Sequence, residues 1–361
     1  MKLVRETSPY IRKPASVQRM MLDVLIALIP VVIYSIIKFK WYALVILVIS
    51  LVCMIGTEVL YHLAVHRKDF KEKFSINWIL TPAISGTIYA LIVPSNLHLF
   101  AVAAGAILAI FLGKLVFGGL GQNIFNPAGL GRVLTTVMWP MAWTAISTDV
   151  NGGATALGTL GVIKEGLAGL PAALDSLSVW DLFIGNANGA TGEGCVLAIL
   201  IGGIYLFVRR SADIRVSLSM ILSFALMILT AGVCANFNSD VSFNVGKFLL
   251  CHLFSGGLMF GAIFMVTDPV TSPITQRGRI IFGAAIGILV AFIRIFGSYP
   301  EGVAFAILIM NAFVPAIDYY KWSGTKYTKR FIIIGVSVVV ALVIIMGLLT
   351  GIGLHNVGGA L

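Results

Sequence analysis

Apolar residues run along this chain in long blocks, at 41–64, 97–117, 214–234, 247–267, 279–297 and 331–353, separated by short polar or basic segments. Each block reaches the roughly 18 to 20 residues that a helix needs to cross about 30 Å of hydrocarbon, so a water-soluble core does not explain them. Two further stretches, 131–147 and 302–318, are short or interrupted by Pro140 and Pro315. The pattern predicts an all-α integral membrane protein of about ten transmembrane helices, some of them broken or short. Lys329 and Arg330 then stand inside, and a true final span puts Leu361 outside.

Composition agrees: of 361 residues, 59% are hydrophobic and 11% charged, with a mean hydropathy of +0.99, far from a soluble globular domain. A formal charge of +10 could suggest a nucleic-acid partner. Its distribution argues against one, because the basic residues form clusters between apolar spans and no continuous face. The clusters are Arg67, Lys68, Lys71 and Lys73; Arg209, Arg210 and Arg215; Arg277 and Arg279; and Lys321, Lys326, Lys329 and Arg330. The positive-inside rule places them in the cytoplasm. The segments around Pro94-Ser95-Asn96 and at 147–193, 235–246 and 297–301 carry almost no Lys or Arg and are expected to face outward. The N-terminal stretch with Lys2, Arg5, Arg12, Lys13 and Arg19 is too long and basic for a cleaved signal, and reads as a retained cytoplasmic segment. The expected location is the cell inner (cytoplasmic) membrane.

The chain divides into an N-terminal repeat (1–147), an extracytoplasmic loop (148–193) and a C-terminal repeat (194–361). The turn at Val93-Pro94-Ser95, an apolar helix and a Gly-rich break at 118–131 parallel Asp268-Pro269, the helix 279–297 and Gly297-Ser298-Tyr299-Pro300. The first turn of one half is outside where that of the other is inside, which is the arrangement of two inverted-topology repeats whose broken helices meet near the midplane.

Charges within spans cost about 2.5 to 3.5 kcal/mol each at a helix centre on insertion scales, so each needs a reason. Glu58, Lys114, Arg294, Asp268, Asp318 and Asp23 are such positions. Lys114 and Asp23 are expected to reach out to water from helix ends. Asp268-Pro269 has two readings: a carbonyl freed by proline for a cation, or an Asp capping the next segment through Thr271 and Ser272. Cys53, Cys195, Cys234 and Cys251 lack metal-ligand spacing; three read as packing residues, and Cys195 is notable for lying beside the loop. The five histidines are scattered away from Ser or Cys partners, and neither a Walker loop nor a Rossmann fingerprint is present, so hydrolysis, ATP and NAD binding do not belong here.

Three motifs remain. Loops as long as 147–193 are usually functional or disordered, and this one holds Asp149-Val150-Asn151-Gly152-Gly153-Ala154-Thr155, a bare hydroxyl among small neighbours. Upstream stands Asn123-Ile124-Phe125-Asn126-Pro127-Ala128-Gly129-Leu130-Gly131-Arg132, and downstream Met265-Val266-Thr267-Asp268-Pro269-Val270-Thr271-Ser272-Pro273. In order and spacing these resemble the landmarks of the D subunit of the Rnf electron transport complex, over nearly the whole chain. The B subunit of the sodium-pumping NADH:quinone reductase is a near relative, usually longer at its N-terminus. The resemblance implies FMN joined by a phosphoester to Thr155, installed by a flavin transferase that reads the motif; Asp149, Gly153 and Ala154 match it. Gly152 departs, standing where the family usually has Ser or Thr. A second Gly-Ala-Thr ends at Thr191, but Gly185 precedes it by six residues where the motif needs Asp, and Thr191 reads as a helix N-cap.

Trp139, Trp143 and Trp180 flank the loop, as flavin cover or as interfacial anchors. Asn123, Asn126 and Arg132 either satisfy loop backbone or meet an anionic flavin. The related pump also holds a second, non-covalent flavin such as riboflavin, for which these polar breaks are a lining. The resemblance implies a membrane component of an ion-translocating ferredoxin:NAD oxidoreductase, relaying electrons through FMN as sodium or protons move. NAD and ferredoxin chemistry then sits on the other members of the complex. The rivals are a secondary transporter or channel without a redox group and a membrane scaffold.

Overall fold

The computed structural model describes residues 17–67, 74–95, 97–140, 170–186, 189–238, 242–297, 302–319 and 327–358. Every regular element among the described residues is helical. The elements are α1 (Val17–Val65), α2 (Asn77–Ile92), α3 (Leu99–Ile110), α4 (Pro127–Met138), α5 (Leu170–Ser176), α6 (Val179–Ile184), α7 (Val196–Arg209), α8 (Ile214–Asn238), α9 (Val245–Phe254), α10 (Leu258–Phe260), α11 (Gln276–Phe296), α12 (Val303–Ile317) and α13 (Lys329–Gly358). π-turns continue α3 through Phe111–Leu115 and α10 through Gly261–Met265.

α1 would run roughly 73 Å if straight, at 1.5 Å per residue. It cannot be straight. Met21 and Val24 line the same cavity as Thr81 and Lys114, and Lys114 binds Glu58, so the two ends of α1 lie at one level. The reversal falls at Lys40 (φ 52°, ψ −127°), in the left-handed half of backbone space that residues other than glycine seldom enter. α1 is thus two apolar arms joined by one residue. The outgoing arm lies along α7, where Asp23 meets Ser211 and Tyr34 meets Gly185; the returning arm lies along α2, where Ser50 donates to the Gly86 carbonyl at 2.8 Å.

By length and composition α1, α8, α11 and α13 can each cross a bilayer, and the bent pair α9 and α10 makes a fifth candidate. Shorter apolar helices at Asn77–Ile92, Leu99–Leu115, Val196–Arg209 and Val303–Ile317 pack among them. The apolar block 247–267, continuous in sequence, is bent by 58° at Ser255-Gly256-Gly257. Gly256 (φ 59°) and Gly257 (φ 61°) leave helical space there, a departure that costs glycine little. The core runs through the middle of the bundle, where Tyr89, Phe224, Phe248, Phe260 and Phe282 are fully buried. α8 and α11 pack backbone to backbone: a Cβ on Gly283 would overlap the Val216 carbonyl, and one on Gly287 the Met220 carbonyl. Small residues four apart are how helices approach closely when lipid removes the hydrophobic drive between them.

Candidate functional site: a cavity beside buried charges

The π-turn ending α3 holds one extra residue per turn, a local device common at functional sites. It carries Lys114 into the bundle, where the side chain is 3% exposed. Nζ donates to both Glu58 oxygens at 2.6 and 2.7 Å and to Thr81 Oγ1 at 2.6 Å, so all three of its protons are engaged. The expectation that Lys114 reaches out to water is wrong, because a buried carboxylate on α1 offers a better partner than a long path to solvent. Asp23 is likewise buried, accepting from Ser211 Oγ (2.7 Å), Tyr205 Oη (3.2 Å) and Arg209 (3.3 Å). Its partners lie 182 to 188 residues away along the chain.

Beside the Lys114–Glu58 pair is a cavity of about 90 Å³, open at its mouth, to which Thr81, Asn123, Asn126, Ser211 and Asp268 contribute. Asn126 is the N-cap of α4: Oδ1 accepts from Gly129 N–H at 3.2 Å, and Nδ2 donates to the Met265 carbonyl at 3.2 Å. The Gly-rich break of the first half is thereby tied to the π-turn of the second. Asn123 makes only a 3.5 Å contact with the Phe125 carbonyl.

Asp268 stands just beyond the second π-turn and accepts from Val270 N–H (3.1 Å) and Thr271 Oγ1 (3.2 Å), the capping role read for Thr271. Ser272 joins through its backbone, donating to the Asp268 carbonyl at 3.1 Å. These two donors fix the carboxylate at the edge of the cavity. Asp318, at the end of α12, ties down the same linker by accepting from Ile274 N–H (2.7 Å) and Thr275 Oγ1 (2.8 Å).

A second buried polar group lies at the break between α9 and α10. Arg132 of α4 donates to Glu193 Oε1 at 2.5 Å. The Glu193 carboxylate lies against Gly257, where a Cβ would come within 2.6 Å of it. Arg132 is therefore apart from Asn126 in its contacts, although six residues separate them. Sequence reasoning missed Glu193; its signal was an acid between two glycines at the start of an apolar span. Arg294 donates to the carbonyls of His252 (2.5 Å), Ser255 (3.0 Å) and Gly256 (2.6 Å).

Thr155, Asp149, Gly153, Ala154 and Trp143 lie outside the described residues. Trp139 is partly buried and meets Phe100 edge-on at 5.9 Å, while Trp180 is exposed and stacks on Phe183 at 5.8 Å. Thr191 is not a helix N-cap: Cys195 caps α7, accepting from Ala198 N–H at 3.4 Å. The Thr191 hydroxyl is buried within 2.6, 3.1 and 2.9 Å of the carbonyls of Ala90, Leu91 and Val93. The cause is the end of α2, whose last carbonyls have no intrahelical donor and take this hydroxyl instead. Tyr34 Oη (2.6 Å) and Lys38 Nζ (2.9 Å) both donate to the Gly185 carbonyl, so the segment leading into α7 is fastened at two points.

A family model described as the NQR2, RnfD, RnfE family matches residues 4–324. The D subunit of the proton-translocating ferredoxin:NAD(+) oxidoreductase complex of Clostridium ljungdahlii is 32% identical over 337 residues, 90% of this chain and 96% of that one. The D subunit of the ion-translocating oxidoreductase complex of Stutzerimonas stutzeri is 34% identical over 333 residues, 84% and 90% of the two chains. Its counterpart in the Na(+)-translocating ferredoxin:NAD(+) oxidoreductase complex of Acetobacterium woodii is 32% identical over 342 residues, 91% and 98%.

Proposed function

Because the chain belongs to the NQR2, RnfD, RnfE family, we propose that it is the D subunit of an ion-translocating ferredoxin:NAD oxidoreductase, carrying FMN on Thr155. The observation that carries this reading is the near full-length match to D subunits of ion-translocating oxidoreductase complexes, two of them named as ferredoxin:NAD(+) oxidoreductases. The protein is a membrane component of a redox-driven translocase, and the other members of the complex are its partners. Among the two Gly-Ala-Thr segments, the burial of Thr191 against the end of α2 removes it as an acceptor for a flavin transferase. That leaves Thr155.

FMN, when bound, supplies the electron-transfer chemistry, and the protein sets its position and solvent access. Residues 1–147 and 194–361 form the two repeats around the flavin-bearing loop 148–193. The two π-turns, each ending an apolar helix before a break rich in Gly or Pro, match the helix before 118–131 to the one before Asp268-Pro269, where the sequence pattern matched it to 279–297; the inverted repeat is better drawn through this pairing. Counting the two arms of α1 separately supports a topology near ten spans, with the N-terminal segment and the basic clusters in the cytoplasm of a cell inner membrane. The cavity beside Lys114 then opens on the cytoplasmic side. Asn123, whose side-chain amide borders it, suits a second, non-covalent flavin; Thr81, engaged by Lys114 and Asn77, and Asn126, committed to Gly129 and Met265, serve as its rigid wall. Arg132, engaged by Glu193, belongs to the extracytoplasmic side of the scaffold. The relatives' names include both sodium and proton as the coupling ion, and Asp268, half-buried at the cavity, is a carboxylate suited to either.

The test is in-gel flavin fluorescence of the chain expressed with a flavin transferase. The denatured wild-type band is expected to fluoresce, Thr155→Ala to be dark, and Thr191→Ala to stay bright per mole of chain. A dark wild-type band with an unmodified intact mass would return the chain to the class of carriers without a redox group.

A further inference from the structure

Helix α9 stops at Phe254, and its last carbonyls, the negative end of a helix dipole, face the interior of the bundle. In carriers built on broken helices, such freed carbonyls coordinate the transported cation. Here a side chain stands in that place. The Arg294 guanidinium, 5% exposed, spends Nη1 and Nη2 on the carbonyls of His252, Ser255 and Gly256, at 2.5, 3.0 and 2.6 Å. Its face lies 5.0 Å from the centre of the Phe224 ring, and Glu193 adds an attractive charge interaction. Among the described residues, Ser255 Oγ, both nitrogens of His252 and Arg294 Nε are buried without a hydrogen-bond partner. Three carbonyls converge on one positive group, and that group is covalently part of α11.

Resting on the ion-translocating role proposed above, we propose that Arg294 is a tethered cation that fills the break at 255–257 and so excludes the transported ion from it. The break is a closed joint between two half-helices, and the ion's route runs through other parts of the molecule. Arg294 acts through the backbone it holds, as a positioning residue that decides where a cation binds.

Two predictions separate this role from ordinary packing. In the purified complex, Arg294→Ala leaves the carbonyl set without its charge, lowering the apparent Tm by a few degrees, about 2–8 °C. Low millimolar guanidinium chloride, or sodium or lithium chloride, restores at least half of that loss in a saturable way. Choline chloride at equal ionic strength does not, and wild type shows no comparable response to guanidinium. The second comparison is Arg294→Lys with Arg294→Gln, both closer in size: lysine is expected to keep more than half of the wild-type margin over glutamine. An Arg294→Ala complex as stable as wild type, or one that no small cation stabilises, overturns the proposal. If the alanine variant does not assemble, a lysine variant that unfolds no later than the glutamine one overturns it equally. Because the readout is thermal unfolding, it is independent of whether Thr155 carries FMN: a rescued variant on a flavin-free chain would leave this inference standing and remove only the assigned function.

Discussion

Leucine in place of Gly287 prevents recovery of the folded chain. The helices α8 and α11 meet along Gly283 and Gly287, and at both positions a Cβ would overlap backbone of α8: the carbonyls of Val216 and Met220. Ser223 Oγ lies across the same seam, 3.0 Å from the Ala284 carbonyl, so the two backbones are held at a fixed separation. Alanine already overpacks the contact, a class of change that costs about 1–3 kcal/mol. Leucine adds three more carbons with nowhere to go, because the obstruction is backbone and cannot change rotamer. The expected result is loss of the monodisperse peak in size-exclusion chromatography, with most of the protein aggregated. Gly335→Leu on α13 is the matched control, since nothing lies within 4 Å of a Cβ there. A Gly287→Leu chain eluting like wild type would mean that α8 and α11 are not packed this way.

The second large effect is expected at the Glu58–Lys114 pair. Both side chains are buried, and the ammonium has no donor left over. Removing one partner leaves an uncompensated charge in a low-dielectric interior, which costs about 3–5 kcal/mol. Glu58→Gln and Lys114→Met should therefore each lower the thermal stability of the complex sharply. The double variant should recover much of the loss, because two neutral side chains of similar volume carry no stranded charge. The double-mutant cycle measures this directly, and additive losses would show that the two groups do not depend on one another.

Helices were easier to read from the residues than their ends. Apolar blocks announce spans because the cost of unsatisfied backbone in lipid leaves few alternatives to a helix. The reversal at Lys40 sends no such signal: Phe39-Lys40-Trp41 contains neither glycine nor proline, and the turn exists because both arms pack on other helices. The break at Gly256-Gly257 was visible only as a pair of glycines inside an apolar run. Buried charges could be located along the chain but not paired. Lys114 and Glu58 are 56 residues apart, and Arg132 and Glu193 are 61 apart, so only the fold says that they meet. Thr191 ranks below Thr155 on its missing Asp and on the direct run of its segment into the next span, yet its actual role at the end of α2 depends on contacts about 100 residues away. In sequence Asn126 stands open between satisfying loop backbone and meeting a flavin, and the structure makes it the N-cap of α4, for which Asn-Pro at a helix start is a local sign.

The one-residue joint at Lys40 bears on how the molecule is made. Two apolar arms that share so short a connection have no independent places to settle, since moving one drags the other with it. A joint this short leaves the arms little choice but to enter the bilayer together as a helical hairpin. A reporter spliced at that bend is expected to part them and to lower the yield of inserted chain, as a membrane-fractionation assay would measure.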